Sequence, residues 1–322
     1  MRRNILCIIA VVSVLLCGCQ KSEDSFLAYQ DVASTGAYNC DTQLMQADFF
    51  AKDLTIVTKD ENNGGDKVMT AGAALLIDRS DHTVLYADHA YDKLYPASIT
   101  KLLTALVVLR YGDLNDKVTI GYNATHITEI GAKLCGFQEG DTISLEALLS
   151  SMLVYSGNDA AVAVAEHVGG SVEDFVKLMN EEAKKLGAVH SHFVNPNGLH
   201  DADQYTTAYD LYLIFNKLLQ YDTFRTIIPN ASYTAEYTDK NGKDKKKTFK
   251  TTDLYLKQEA NTDPGIIVIG GKTGTTQKAG NCLILLSKDK DDKEYISVVL
   301  KARGRDDLYT EMTHLLSKAV SE

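Results

Sequence analysis

The chain has 322 residues, with 33 lysines and arginines against 43 aspartates and glutamates and a formal charge of −10 at neutral pH. An acidic chain of this kind is a poor match to nucleic acid, and no interleaving of aromatic and basic residues argues otherwise. Three of the six cysteines lie within the first 19 residues. The others, Cys40, Cys135 and Cys282, form an odd and scattered set with no disulfide framework, and neither His-Glu-x-x-His nor paired Cys-x-x-Cys points to a metal.

Arg2 and Arg3 lead into an apolar run from Ile5 to Leu16, which has the proportions of a secretory signal and falls short of the roughly 20 residues of a membrane span. It closes on Leu16-Cys17-Gly18-Cys19, after which Gln20 to Ser25 turns polar at once. That tetrapeptide resembles the lipobox of bacterial lipoproteins, which implies cleavage ahead of Cys19 and lipidation of that cysteine. The plainer alternative is a short signal anchor with the cysteines as apolar filler. Residues 1–18 are read as a lipoprotein signal peptide, and 19–66 as a tether and lead-in ending in the loop signal Asp60 to Asp66. Phe49-Phe50 and Leu54 to Val57 interrupt the lead-in as segments that pack on the body. Residues 67–322 are long enough for one large domain or two closely knit subdomains.

The body opens with Ala71 to Asp78 and Thr83 to Ala87, two strands around the polar turn Arg79 to His82. Leu94-Tyr95-Pro96-Ala97-Ser98-Ile99-Thr100-Lys101 then starts a helix, with Pro96 where a helix begins. One turn puts Ser98 and Lys101 on the same face. A hydroxyl at the positive end of the helix dipole thus meets an amine that can take its proton, provided burial or a nearby cation holds that amine neutral. Ser-x-x-Lys alone is weak, because most such pairs are solvated helix starts. Here Ile99, Leu102, Leu103, Leu106, Val107 and Leu109 make the helix apolar almost all round, which predicts a buried helix and a desolvated Lys101.

Tyr111 to Asp141 reads as loop with a short strand at Lys117 to Ile120. Leu145 to Tyr155 is a helix that stops at Ser156-Gly157-Asn158-Asp159. Ala160 starts the next, with Asn158 or Asp159 as a candidate N-cap. A third helix, Val172 to Leu186, ends at Gly187, and the whole tract reads as a helical subdomain between sheet elements. His190 and His192 are too close together for helical metal-ligand spacing. Asn195 to Leu199 is a turn, and Thr206 begins a threonine-capped helix. Tyr233 to Tyr237 and Thr248 to Thr252 form strands about Asn241-Gly242, with Lys243 and Lys245 to Lys247 as a solvated hairpin turn. Ile266 to Ile269 is a strand running into Gly270-Gly271-Lys272-Thr273-Gly274-Thr275-Thr276, where glycines on both sides of Lys-Thr leave an edge open to another backbone. Ala279 to Ser287 and Glu294 to Lys301 are strands, and Asp307 to Val320 a closing helix.

Three short motifs now stand in order: Ser98-x-x-Lys101, Ser156-Gly157-Asn158 and Lys272-Thr273-Gly274. Each is weak alone, but the order and spacing resemble the penicillin-binding proteins and serine β-lactamases. Pro96 to Lys101, Ser156 to Ala161, Met179-Asn180, Asn195 to Leu199, Thr206 to Leu211 and Lys272 to Thr276 with Ala279-Gly280 narrow the likeness to low-molecular-mass D-alanyl-D-alanine carboxypeptidases, over about residues 70 to 320. The resemblance implies an α/β (α+β) fold: an antiparallel sheet between helices, its first hairpin paired with the strands after Lys272, plus an all-helical lobe and a cleft between them.

It also implies acyl transfer to water without a cofactor, on peptidoglycan stem peptides ending in D-Ala-D-Ala, with β-lactam antibiotics as covalent inhibitors. Ser98 is then the nucleophile, Lys101 its base and Ser156 the proton relay to the leaving D-alanine. Asn158 orients Lys101 and the substrate amide. Lys272 and Thr273, followed by Gly274, hold the terminal carboxylate, and the backbone N–H groups of Ser98 and Thr275 form the oxyanion hole. Two departures stand out. Relatives often carry a histidine or aromatic residue where this chain has Thr275. Many also have a second, β-rich domain and a C-terminal amphipathic anchor, which are not expected within the roughly fifty residues after Lys272. A lipid at Cys19 would take the anchor's place and hold the exported protein on the outer face of the cytoplasmic membrane. The rivals are a β-lactamase, for which Glu166, Glu173 and Glu181 fit no deacylation motif, a DD-endopeptidase or transpeptidase on the same scaffold, and a non-catalytic wall-binding protein.

Overall fold

A computed structural model describes residues 54–60 and 65–320. Cys19, the signal segment and Phe49-Phe50 lie outside these residues. Leu54 to Val57 packs on the body as expected: Val57 is buried, the Thr55 N–H donates to the Tyr212 hydroxyl at 2.9 Å, and the Tyr91 hydroxyl donates to the Val57 carbonyl at 2.8 Å.

The main sheet is antiparallel and five-stranded, in the order β2-β1-β9-β8-β7. Its strands are β1 (Ala73–Asp78), β2 (Thr83–Asp88), β7 (Ile267–Thr276), β8 (Gly280–Lys288) and β9 (Glu294–Ala302). The first hairpin therefore pairs with the last strand, Ala73 opposite Leu300 and Asp78 opposite Tyr295, as the resemblance implied. All six residues of β1 are buried, which is why that strand reads as an apolar run without alternation. Leu75, Ile77, Ile284 and Val298 enter one core, and Leu76, Leu283, Leu285 and Val299 enter the other with Leu308, Met312, Leu315 and Leu316 of the closing helix. Successive side chains point to opposite faces, so both faces of this sheet are covered.

The remaining helices are α1 (Lys101–Tyr111), α2 (Tyr122–Thr125), α3 (Leu145–Tyr155), α4 (Asn158–Gly169), α5 (Val172–Lys185), α6 (Ala208–Leu218) and α7 (Asp222–Ile227), with α8 (Arg305–Ser317) closing the chain. Every residue from Lys101 to Val108 is buried, so α1 is the buried helix its composition predicts, packed among α3, α4, α5 and α6. α5 and α6 start on side-chain caps, the Ser171 hydroxyl accepting from the Asp174 N–H and the Thr207 hydroxyl from the Asp210 N–H.

Beside these helices lies a four-stranded antiparallel sheet, β3 (Lys117–Thr119), β4 (Thr142–Ser144), β5 (Ser232–Thr238) and β6 (Asp244–Lys250), so strands accompany the helices of this lobe. The lysine run is not confined to a turn. Lys245 to Lys247 sit within β6 opposite Tyr237 to Ala235, and Lys246 pairs with Glu236 at 2.6 Å across the hairpin. Cross-strand pairing of opposite charges gives these lysines a strand position.

Candidate active site

Ser98 sits in a 3-10 turn, Ala97 to Thr100, and the α-helix proper begins at Lys101. Residues three apart eclipse in such a turn, so it still aligns Ser98 with Lys101. Their Oγ and Nζ atoms are 3.0 Å apart. Ala97 is held at φ 48°, a strained value for a residue with a side chain, immediately before the hydroxyl. Two glycines let neighbouring backbones close on this turn. A side chain at Gly274 of β7 would come within 2.8 Å of the Pro96 carbonyl oxygen and 3.0 Å of the Ser98 nitrogen. One at Gly198, where φ is 84°, would come within 1.9 Å of the Ala97 carbonyl oxygen.

Lys101 is fully buried. Its Nζ donates to Asn158 Oδ1 at 2.7 Å and also to the Asn197 carbonyl oxygen. Burial first, and the charge of Lys272 second, push its pKa well below the ordinary lysine value. A neutral amine keeps two N–H donors and one lone pair. Asn158 and Asn197 take the two donors, so the lone pair is left for the Ser98 hydroxyl. Asn197 contributes through its backbone carbonyl, which no side-chain motif in the turn Asn195 to Leu199 marks. That turn is bolted to the serine helix by the Thr104 hydroxyl, which donates to the Pro196 carbonyl at 2.6 Å.

Ser156 ends α3 in the left-handed region, φ 72°. Neither Asn158 nor Asp159 caps α4 with its side chain: both are already helical, and the N-cap is Gly157. Asn158 is instead spent on Lys101. Asp159 accepts from the backbone N–H groups of Cys135 and Gly136 at 2.8 and 2.7 Å, tying the preceding loop to the helix start. The Asn158 N–H in turn donates to the Lys133 carbonyl at 2.8 Å.

Across the cleft, the buried Lys272 donates to the Ser156 hydroxyl at 2.8 Å and to the Thr273 carbonyl at 2.9 Å. Burial and then Lys133 bring its pKa down to about 7. The Thr273 hydroxyl meets that of Thr252 at 2.5 Å, and the Thr275 hydroxyl donates to Asn281 Oδ1 at 3.2 Å. The cleft has a volume of about 920 Å³. Ser98, Ser156, Asn158, Thr273, Gly274 and Thr275 all line it, while Lys101 and Lys272 stand behind that surface. Lys133, Thr252 and Arg305 line it too, and no motif in the sequence announced them. Among the described residues no cluster of histidines, cysteines or carboxylates could hold a metal, and Cys135 and Cys282 are buried free thiols.

Residues 58–304 match the family profile described as D-alanyl-D-alanine carboxypeptidase. The chain belongs to that family. It is similar to the D-alanyl-D-alanine carboxypeptidases DacF of Bacillus subtilis (strain 168), 32% identical over 78% of this chain and 62% of the relative, and DacC of Escherichia coli (strain K12), 34% identical over 77% and 60%. It thus spans about three-fifths of the length of these curated relatives. The crystal structure of the Streptomyces K15 DD-transpeptidase superposes with a TM-score of 0.73 at 28% identity, covering 79% of this chain and 98% of that one. The family's penicillin-binding and β-lactamase-like fold is therefore the fold seen here.

Proposed function

We propose that this chain is a serine D-Ala-D-Ala carboxypeptidase that removes the terminal D-alanine from peptidoglycan stem peptides. The observation that carries the reading is the buried Lys101 amine, whose two other contacts leave its lone pair facing Ser98 at 3.0 Å. In the proposed course, Ser98 attacks the carbonyl carbon of the penultimate D-alanine while its proton passes to Lys101 Nζ. The backbone N–H groups of Ser98 and Thr275 hold the developing oxyanion. The Lys101 proton passes by way of the Ser156 hydroxyl, itself bonded to Lys272, to the departing amine, which returns Lys101 to the neutral amine; water then cleaves the acyl-Ser98 ester, Lys101 taking the water's proton and returning it to the Ser98 oxygen. Lys272, Thr273 and Thr252 present an ammonium and two hydroxyls to the terminal carboxylate, and Arg305 adds a guanidinium to the same cleft. No cofactor enters this scheme.

Penicillin would acylate the same Ser98 oxygen. Labelled penicillin should therefore attach to the native protein, and Ser98→Ala should abolish both labelling and D-alanine release. Rapid penicillin turnover without D-alanine release would identify a β-lactamase instead. Against that rival, Glu166 accepts from Asn123, and neither Glu166, Glu173 nor Glu181 lines the cleft. Export and lipid attachment at Cys19 complete the proposal, supported by the leader sequence. Cys19→Ser should abolish metabolic labelling with a fatty acid and release the protein from membranes.

A further inference from the structure

One wall of the cleft has no part in the scheme above. The segment Glu129 to Lys133 lines the same cavity as Ser98 and Ser156. The Ala132 N–H donates to the Glu129 carbonyl at 3.0 Å, and Gly131 takes φ 83° at the turn position that needs the left-handed region, so Glu129 to Ala132 form a tight turn with Ile130 at its tip. The exit of the turn is fixed to the catalytic motif. The Lys133 carbonyl accepts from the Asn158 N–H at 2.8 Å, Lys133 Nζ lies 4.1 Å from the centroid of the Tyr155 ring, and Asp159 accepts from the Cys135 and Gly136 N–H groups.

Ile130 is fully exposed, whereas no other large apolar side chain among the described residues exceeds 63%, and of the exposed ones it alone lines the cleft. Glu129 beside it is exposed, forms no ion pair among the described residues, and is the one carboxylate among the residues that line the cleft. The other charged lining residues are Lys133, Lys278 and Arg305, which leaves the cleft otherwise cationic. A carboxylate in that company repels the terminal carboxylate of the substrate, and an isoleucine left in water stabilises nothing in the free enzyme. Both side chains gain only from a ligand that brings methylenes and a positive charge together. A stem peptide carries one such group, the diamino acid that precedes its two D-alanines; its other charged groups are carboxylates.

We infer that Ile130 and Glu129 are specificity-determining residues for that third residue of the stem peptide: Ile130 packs on the methylenes of its side chain and Glu129 pairs with its terminal ammonium. This rests on the functional reading above and adds to it which part of the substrate the helical wall reads. The hydrogen-bonded turn and its fixed exit present both side chains in place before the peptide arrives, so little ordering is needed on binding. Lysine and diaminopimelate share the methylene chain and the ammonium, and differ by a carboxylate on the carbon that bears it.

The test is kcat/KM for D-alanine release from acylated X-D-Ala-D-Ala peptides in which X is lysine, meso-diaminopimelate, norleucine or alanine. Norleucine keeps the methylenes of lysine and drops the charge. The better of the two diamino acids should exceed norleucine by about 3–10-fold, and Glu129→Gln should bring that ratio close to one. Norleucine should exceed alanine by about 10-fold, and Ile130→Ala should cut that ratio to about 2-fold. Both substitutions change exposed side chains, so neither disturbs the core. A native enzyme indifferent to X overturns the inference, as does either ratio surviving in its variant. Calorimetric binding of the same peptides to Ser98→Ala, with and without Glu129→Gln or Ile130→Ala, needs no turnover. Failure to release D-alanine from any peptide therefore counts against the functional reading, while the ratios of affinity still judge this one.

Discussion

At the scale of single residues, the site works by keeping two lysines buried in different company. Lys101 has two neutral acceptors and a cation nearby, all of which suit an amine. Lys272 donates to two oxygens, the Ser156 hydroxyl and the Thr273 carbonyl, so that its ammonium form keeps one N–H for the carboxylate in the proposed scheme. Removing the base, Lys101→Ala, should lower kcat/KM by ~10²–10⁴-fold with the fold intact by circular dichroism. Because the Lys272 pKa lies near 7, KM in the native enzyme should rise as pH climbs above that value, and a bound carboxylate should resist the loss by favouring the charged form. Asp253, buried in the segment after β6, bears on stability through its own burial. Its folded pKa of about 6 lies above the unfolded value, so its contribution is fully present below pH ~4 and is lost as pH rises through 6. Asp253→Asn should therefore be more stable than the native protein to chemical denaturation at pH 8, by about 2–3 kcal/mol, and show no such gain at pH 4.

At the scale of elements, the serine turn is clamped between a strand and a loop that approach only because they carry glycine. Gly198→Ala adds a methyl group against the Ala97 carbonyl in a left-handed conformation. It should displace Ser98 and cost ~10²-fold in kcat/KM, with a smaller loss of thermal stability. Thr207→Ala, by contrast, removes the cap of α6 and should cost about 1 kcal/mol in chemical denaturation while leaving penicillin acylation unchanged. Element boundaries were largely legible because strong local signals mark them: the apolar run of β1, the capping threonine of α6, and the full length of α3 up to Ser156. The start of α4 was misread for a physical reason. Asn158 has the chemistry of a cap, but its oxygen accepts from the buried Lys101 amine at 2.7 Å, the partner the family resemblance implied, and Gly157 takes the cap position.

At the scale of the whole molecule, the sheet joins the two ends of the body, with β1 beside β9 and α8 laid over the outer face. A chain truncated after Gly304 would bare Leu76, Leu283, Leu285 and Val299 to water, and should fail to accumulate as a folded, penicillin-reactive protein in limited proteolysis. The identities of Ser98, Lys101, Ser156, Asn158, Lys272 and Thr273 were written in the sequence, since each motif is a local string with its own turn chemistry and their order is a property of the chain. The site that joins them was decided by tertiary structure. Lys133, Asn197, Thr252 and Arg305 reach it from separate segments, and no pattern along the chain records which loop will face which strand. Charge state was decided there as well. A lysine is the same letter in water and in a core, and only burial and neighbours push the Lys101 pKa well below the ordinary value and bring that of Lys272 to about 7.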